Sequence, residues 1–318
     1  MFLLIGKIPP PIGGMTIHVA RLLHVLESKS FNYGFYDLSN FTLNGLFRAC
    51  RQAKLIHLHS TNSLFRLLVS LLCKVNGTTL IVTYHGNIGE WGLFRNLLDY
   101  SSIKVCSIPI VLNDSSLDIA KKFNKESVII SSFIPPFGIA KNSDLQNKVS
   151  AFKKRHKKIY CTNAFDVVID KNNVEVYGIT PIITIFSELK DYGLVFSDPK
   201  GNYSKYLKGK GIKIPTNVLV INYPHSFYHV IELTDGVIRA TTTDGDSLTV
   251  KEALYQGKRI LASDCVSRPP GVEVFQTGNY SMLKGLLMNE SDFLSCKATF
   301  GILDGSNQLL ELYSKILQ

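Results

Sequence analysis

The run Arg239-Ala240-Thr241-Thr242-Thr243-Asp244-Gly245-Asp246-Ser247-Leu248-Thr249-Val250-Lys251-Glu252-Ala253-Leu254, continuing to Gly257-Lys258-Arg259-Ile260-Leu261-Ala262-Ser263-Asp264, decides the fold. The apolar stretch Gly236–Arg239 reads as a strand that feeds a polar, glycine-containing turn. The turn opens into a helix over Leu248–Gly257, and Arg259–Ser263 reads as the next strand. Helix starts expose unpaired N–H groups and a partial positive charge, so this turn is suited to an anion. Gly245 lets a ligand approach the backbone, and Asp246 or Ser247 can cap the helix. At 3.6 residues per turn, Val250, Ala253, Leu254 and Gly257 share one side, while Leu248, Thr249 and Glu252 project roughly opposite. That places a carboxylate and a hydroxyl outward, one turn from a phosphate-binding helix end, where the carboxylate can accept two hydrogen bonds from a ribose diol. A capped helix with a solvated Glu is the plainer alternative.

The same strand–helix alternation runs through the whole chain. Phe2–Gly6 reads as a first strand, followed by Pro9-Pro10-Pro11-Ile12-Gly13-Gly14 and a helix with Val19, Leu22, Leu23 and Leu26 on one face. Leu55–His59 is the next strand. Behind Ser63, the stripe Leu64, Leu67, Leu68, Leu71, Leu72, Val75 predicts a core helix, and Arg66 inside it argues against a membrane span. Thr79–Thr83 is a β-rich strand ending in Tyr84-His85-Gly86, and Ile129–Phe133 reads as the last strand of this half. The second half restarts at Lys158–Thr162 and continues through a helix at Thr180–Leu189 and strands at Gly193–Ser197, Val218–Ile221 and Gly236–Arg239. Such alternation predicts an α/β fold of parallel βαβ units, with two Rossmann-like domains whose sheets face a cleft. The expected boundaries are 1–140 for the first domain, 141–157 for a basic linker and 158–318 for the second, with the terminal helix Asn307–Leu317 available to pack back on the first.

Bulk properties fit this division. The chain has 318 residues, enough for two cores. Its start lacks a basic leader and a cleavage site, so a cytoplasmic location is expected. Six scattered cysteines (Cys50, Cys73, Cys106, Cys161, Cys265, Cys296) form no metal-like pairing and suit buried thiols in a reducing compartment. The formal net charge is +10, and Lys148, Lys153, Lys154, Arg155, Lys157 and Lys158 sit close together without an intervening acid. Such a cluster is either a solvated linker or a patch drawn to an anionic membrane, for example at the inner face of the cell membrane. No nucleic-acid-binding module accompanies it.

The 239–264 segment resembles the donor-binding signature of retaining GT-B glycosyltransferases of family 4, in which two acidic residues stand eight positions apart. Asp244 and Glu252 have that spacing, followed by Ala253 and by Gly257 through Ser263. Pro11 to Met15 resembles the family's glycine-rich loop beside the donor phosphates, and Tyr84-His85-Gly86 resembles its strand-end histidine. The resemblance implies a glycosyltransferase that moves a sugar from a nucleotide-diphosphate sugar to a glycan or lipid-linked acceptor, with retention and with neither metal nor cofactor. It implies catalytic positions at His85 and Asp244. Donor contacts fall at Gly13, Gly14, Gly245, Asp246, Ser247, Leu248, Thr249 and Glu252. Surface-polysaccharide assembly is the pathway class that follows by analogy. Departures from the pattern are plain: Asp replaces Glu at 244, Asp246-Ser247 replaces Phe-Gly, and no Arg/Lys pair follows the strand ending at Cys161-Thr162-Asn163-Ala164-Phe165-Asp166. Lys171, Arg239 and Arg268 are the cations available to replace it. Two rivals remain: a nucleotide-sugar epimerase of similar fold, and a non-catalytic glycosyltransferase-like binding subunit.

Overall fold

A computed structural model describes residues 1–10, 12–138, 142–170, 172–289 and 304–318. The chain divides into two compact units, Met1–Phe137 with Ile302–Gln318, and Gly138–Gly301. Among the described residues each unit holds one six-stranded, fully parallel sheet flanked by helices. The fold class is the one read from the alternation of strands and helices.

The first unit runs β1 (Phe2–Gly6), α1 (Gly14–Ser28), β2 (Tyr33–Asp37), α2 (Leu43–Gln52), β3 (Leu55–His59), α3 (Ser63–Asn76), β4 (Thr79–Thr83), α4 (Leu93–Val105), β5 (Ile108–Val111), α5 (Asp114–Lys121) and β6 (Val128–Ile129). Its strand order is β2-β1-β3-β4-β5-β6. Strands β1 and β3 are buried along their whole length, as expected of central parallel strands covered on both faces. The segment Ile129–Phe133, expected as a strand, pairs only over β6. Beyond it Ile130 and Phe133 are buried as irregular chain.

The second unit runs α6 (Ser143–Lys153), β7 (Lys158–Asn163), α7 (Ile179–Glu188), β8 (Tyr192–Ser197), α8 (Asn202–Gly209), β9 (Val218–Ile221), α9 (Phe227–Leu233), β10 (Gly236–Arg239), α10 (Leu248–Tyr255), β11 (Arg259–Ser263), β12 (Glu273–Phe275) and α11 (Tyr280–Met288). Its order is β12-β11-β10-β7-β8-β9. The stretch expected as a basic linker is helix α6, which buries Leu145, Val149 and Phe152. The last helix, α12 (Ser306–Leu317), belongs to the first unit, where Leu309 and Tyr313 pack with Phe2, Leu4 and Leu22. Cys50, Cys73, Cys106 and Cys161 are buried free thiols, and Cys265 is half-buried. Cys296 lies outside the described residues.

Helix α3 departs from its sequence reading. Its buried residues are Ser63, Arg66, Val69, Ser70 and Cys73, while Leu64, Leu68, Leu71 and Val75 are exposed. Periodicity located an apolar stripe correctly but not the side of the helix that packs. What holds the inner side is an ion pair: the Arg66 guanidinium binds the Asp99 carboxylate of α4, and also donates to the Ser60 carbonyl at 2.6 Å and Ser63 Oγ at 3.0 Å. A charge that is buried must be paired, and this pair fixes which way α3 faces.

Candidate functional site

In an open parallel sheet, ligands bind outside the carboxyl ends of the strands, where the strand order reverses. In the second unit that reversal falls between β7 and β10. The sequence-predicted donor segment leaves the sheet there. Ser247 caps α10, accepting from the Val250 N–H at 3.4 Å. At the other end Gly257, at φ +64°, closes the helix through Gly257 N–H to the Leu254 carbonyl (2.9 Å) and Lys258 N–H to the Ala253 carbonyl (2.9 Å).

Asp244 is held between two arginines. Arg239 donates through Nε at 3.1 Å and Nη2 at 3.2 Å, Arg268 through Nη1 at 3.2 Å, and Thr241 Oγ1 at 3.3 Å. Burial by itself raises a carboxyl pKa, but the two guanidinium groups outweigh it and hold Asp244 below the ordinary carboxylate range. Arg268 also donates to the Ser263 carbonyl at 2.8 Å, tying the turn to the end of β11. Asp246 pairs with Lys251 at 2.5 Å. Thus Arg239, Arg268, Asp244, Asp246 and Ser247 are brought together at one sheet edge, with Gly245 in the same turn.

Glu252 and Thr249 are not outward-facing, as the helical wheel had them; both are buried, at 4% and 7% exposure. The reason is the neighbouring strand end: Thr249 Oγ1 donates to Asn163 Oδ1 at 3.3 Å, so this face of α10 looks onto the carboxyl end of β7 rather than onto bulk water. Leu248 is half-buried. Lys171 lies outside the described residues. The loop after β7 meets another cation, Lys200, which pairs with Asp166 at 3.1 Å and lies 3.9 Å from the Phe165 ring. Sequence reasoning missed Lys200 because it comes from the loop after β8, a neighbouring strand rather than a neighbouring position. Gly178 joins the far side of the turn: at φ +59° it leaves no room for a Cβ, which would lie 2.7 Å from the Ala240 carbonyl and 2.5 Å from Tyr280 Oη.

In the first unit the order reverses between β1 and β3, and the chain ends there converge on histidines. Gly13 precedes α1, with Thr16 Oγ1 donating to its carbonyl and accepting from its N–H, both at 3.0 Å. Gly14 is exposed, with open space where a Cβ would stand. His85 follows β4, and its Nε2 lies 2.9 Å from Nδ1 of His59 at the end of β3. His57 bonds Tyr313 Oη through Nδ1 at 2.5 Å and Thr83 Oγ1 through Nε2 at 2.7 Å. His18 Nδ1 donates to the Ser132 carbonyl at 2.6 Å. Burial, then the neighbouring histidines, push His57, His59 and His85 well below the usual imidazole range, so these rings are neutral at pH 7. Among the described residues no group of His, Cys, Asp and Glu is arranged to hold a metal ion. Of these four only His85 was expected. The alternation His57-Leu58-His59, two imidazoles on one face of a strand, was the signal for two of the others.

No protein-family model matches the chain, and no curated protein matches it by sequence. Solved structures do match over its whole length. Anabaena HepE in complex with UDP and glucose superposes with a TM-score of 0.72 at 12% identity, covering 99% of this chain and 100% of that one. An α,α-trehalose-phosphate synthase (UDP-forming) from Burkholderia xenovorans gives 0.67 at 10% identity, covering both chains fully. The UDP-GlcNAc 2-epimerase of Methanocaldococcus jannaschii gives 0.61 at 10% identity over 99% of this chain and 100% of that one. At these identities the likeness establishes the fold: two Rossmann-like α/β units of the GT-B type.

Proposed function

We propose that the chain is a glycosyltransferase that takes its sugar from a nucleotide diphosphate donor. One observation carries the reading: two arginines and a capped helix N-terminus meet at the strand-order reversal of the second unit, around Asp244. Two guanidinium groups around one carboxylate leave a surplus positive charge, and the helix end adds N–H donors. That combination suits a diphosphate. Arg239 and Arg268 thereby stand in for the cation pair missing after β7. UDP in the HepE structure supports the choice of a nucleotide diphosphate.

The roles follow from position. Glu252 accepts hydrogen bonds from the ribose diol, with Thr249 beside it. In the second unit the 244–248 turn and Arg239 hold the diphosphate. Asp244 serves the sugar end of that unit, and His85, kept neutral, is the first unit's candidate for a polar contact. With Nε2 engaged by His59, Nδ1 is the ring nitrogen through which His85 would meet a hydroxyl. In a retaining transfer, the bond from the anomeric carbon to the leaving phosphate oxygen breaks as the bond to the acceptor oxygen forms on the same face. The acceptor proton passes to the departing diphosphate. Binding groups then act by stabilising charge that develops on that diphosphate. A lipid-linked or surface-polysaccharide glycan is the proposed acceptor class, reached at an anionic membrane surface.

A thermal-shift series over nucleoside diphosphates tests the donor reading, since a ligand of the folded state raises its melting temperature. Absence of a shift with every nucleotide would remove it. The epimerase fold likeness keeps a second reading in view, and incubation with donor alone separates the two: an epimerase converts the free nucleotide sugar, whereas a transferase leaves it unepimerised without acceptor.

A further inference from the structure

Three neighbouring helices of the first unit turn apolar side chains to the outside. On α3, Leu64, Leu68, Leu71 and Val75 recur at i, i+4, i+7 and i+11 and form one exposed stripe, from 44% exposure at Leu71 to 84% at Val75. On α4, Leu93 and Phe94 are 80% and 75% exposed, and Leu97 follows one turn later. On α2, Leu43 and Phe47 are exposed one turn apart. The three stripes join at the helix starts: Phe41 meets Phe65 of α3 edge-on at 5.7 Å, and Arg95 of α4 reaches the Thr61 carbonyl at 3.5 Å. Trp91, the chain's single tryptophan, lies at this junction with the Arg95 guanidinium 3.7 Å from its ring centre. Apolar surface gathered over three helices exceeds the scattered exposed leucines that any protein carries.

Charge identifies what covers it. Between positions 38 and 105 the exposed bases are Arg48, Arg51, Lys54, Lys74 and Lys104, and Glu90 is the exposed acid. The other acid of that stretch, Asp99, is buried against Arg66. A second copy of the chain would bring these cations face to face across a shared interface. An anionic bilayer accepts both the leucines and the bases, in the manner of helices that lie in the headgroup region with Trp, Phe and Leu inward. The basic stretch of the second unit is less available than its sequence implied, because Lys153 pairs with Asp235 and Lys148 lies 5.1 Å from the Tyr223 ring. We propose that α2, α3 and α4 form a membrane-docking face that inserts Leu64, Leu68, Val75, Leu93 and Phe94 into the boundary of an anionic lipid bilayer. The inference does not depend on the nucleotide-sugar reading.

Trp91 makes the test direct. Vesicles of phosphatidylcholine with phosphatidylglycerol are expected to shift its emission to the blue, and lipids brominated on the acyl chain to quench it. A Leu64→Ser/Leu68→Ser/Phe94→Ser variant, altered only at exposed positions, is expected to lose vesicle partitioning by at least about tenfold. A Lys154→Gln/Arg155→Gln/Lys157→Gln variant should retain it. Trp91 emission indifferent to anionic vesicles, or equal partitioning of the apolar triple variant, overturns the proposal. So does a wild-type dimer in sedimentation equilibrium that the triple variant abolishes while neither binds lipid, which would assign the face to a second copy. Nucleotide-induced thermal shifts, measured on the same proteins, report separately on the donor site.

Discussion

Nδ1 of His59 and Nε2 of His85 face each other at 2.9 Å, so a single proton between them joins the tautomers of two strand-end histidines. If His59 donates, His85 carries its own proton on Nδ1; if His85 donates, its Nδ1 is an acceptor. The tautomer of His85 is therefore set by a residue one strand away.

This cluster gives stability a pH dependence. His57, His59 and His85 have folded-state pKa values below the unfolded value near 6.5, so the unfolded chain binds more protons once pH falls past that point. Their contribution is complete above about pH 7 and is lost as pH falls below about 6.5, each ring contributing at most about 1.4 kcal/mol per pH unit. Urea midpoints measured between pH 7.5 and 5 should fall with pH, and a His59→Gln/His85→Gln variant should show a shallower fall. A midpoint that rises on acidification contradicts the assignment.

Glu252→Gln keeps the shape of a buried side chain but removes its charge. Nucleoside diphosphate affinity should weaken by about 1–3 kcal/mol, the range for lost charge-assisted hydrogen bonds. Calorimetry reads this directly, and an unchanged dissociation constant would remove Glu252 from the ribose. Asp244→Asn should behave differently: it leaves Arg239 and Arg268 facing a neutral amide, so thermal stability falls as well as transfer.

Gly178→Ala tests the support of the 244–248 turn. The left-handed backbone costs a side chain about 1–2 kcal/mol, and the new Cβ also meets the Ala240 carbonyl. Denaturant unfolding should show a loss of at least that size, accompanied by weaker nucleotide binding, because the displaced chain leads into Thr241 and Asp244. An alanine variant as stable as the parent would show that this contact is relaxed at no cost.

Breaking the Arg66–Asp99 pair by Asp99→Ala should destabilise the protein by about 3–5 kcal/mol, since Arg66 would be left buried and unpaired. Replacing both, as Arg66→Met/Asp99→Leu, should recover most of the loss. Equal instability of the single and double variants in urea titrations would mean that the pair contributes more than mutual compensation.

The alternation of strands and helices was legible because a parallel strand buried on both faces has to be a short apolar run, as Leu3–Ile5 and Leu80–Val82 are. Asp244 and Ser247 were legible for a local reason: turn and cap chemistry is written in adjacent residues. What escaped was set by long-range contact. His57 and His59 come beside His85 only through the pairing of β3 with β4, His18 reaches it from α1, and Thr249 faces inward because Asn163 stands 86 positions earlier in the chain. The stripe of α3 fooled the periodicity argument for a related reason. A 3.6-residue repeat says that two faces differ, but only Asp99 on another helix says which face is inside.

The first unit closes around Tyr313, which is contributed by the last helix and bonds His57 from the centre of the sheet. On a ribosome, therefore, the sheet holding His57 waits for Tyr313, made 256 residues later. Residues 138–301 form a contiguous unit and can collapse while the earlier sheet still lacks its final covering helix. Until α12 has been made, the nascent chain lacks the cover that Leu309 and Tyr313 give to Phe2, Leu4 and Leu22, and chaperone protection is needed there.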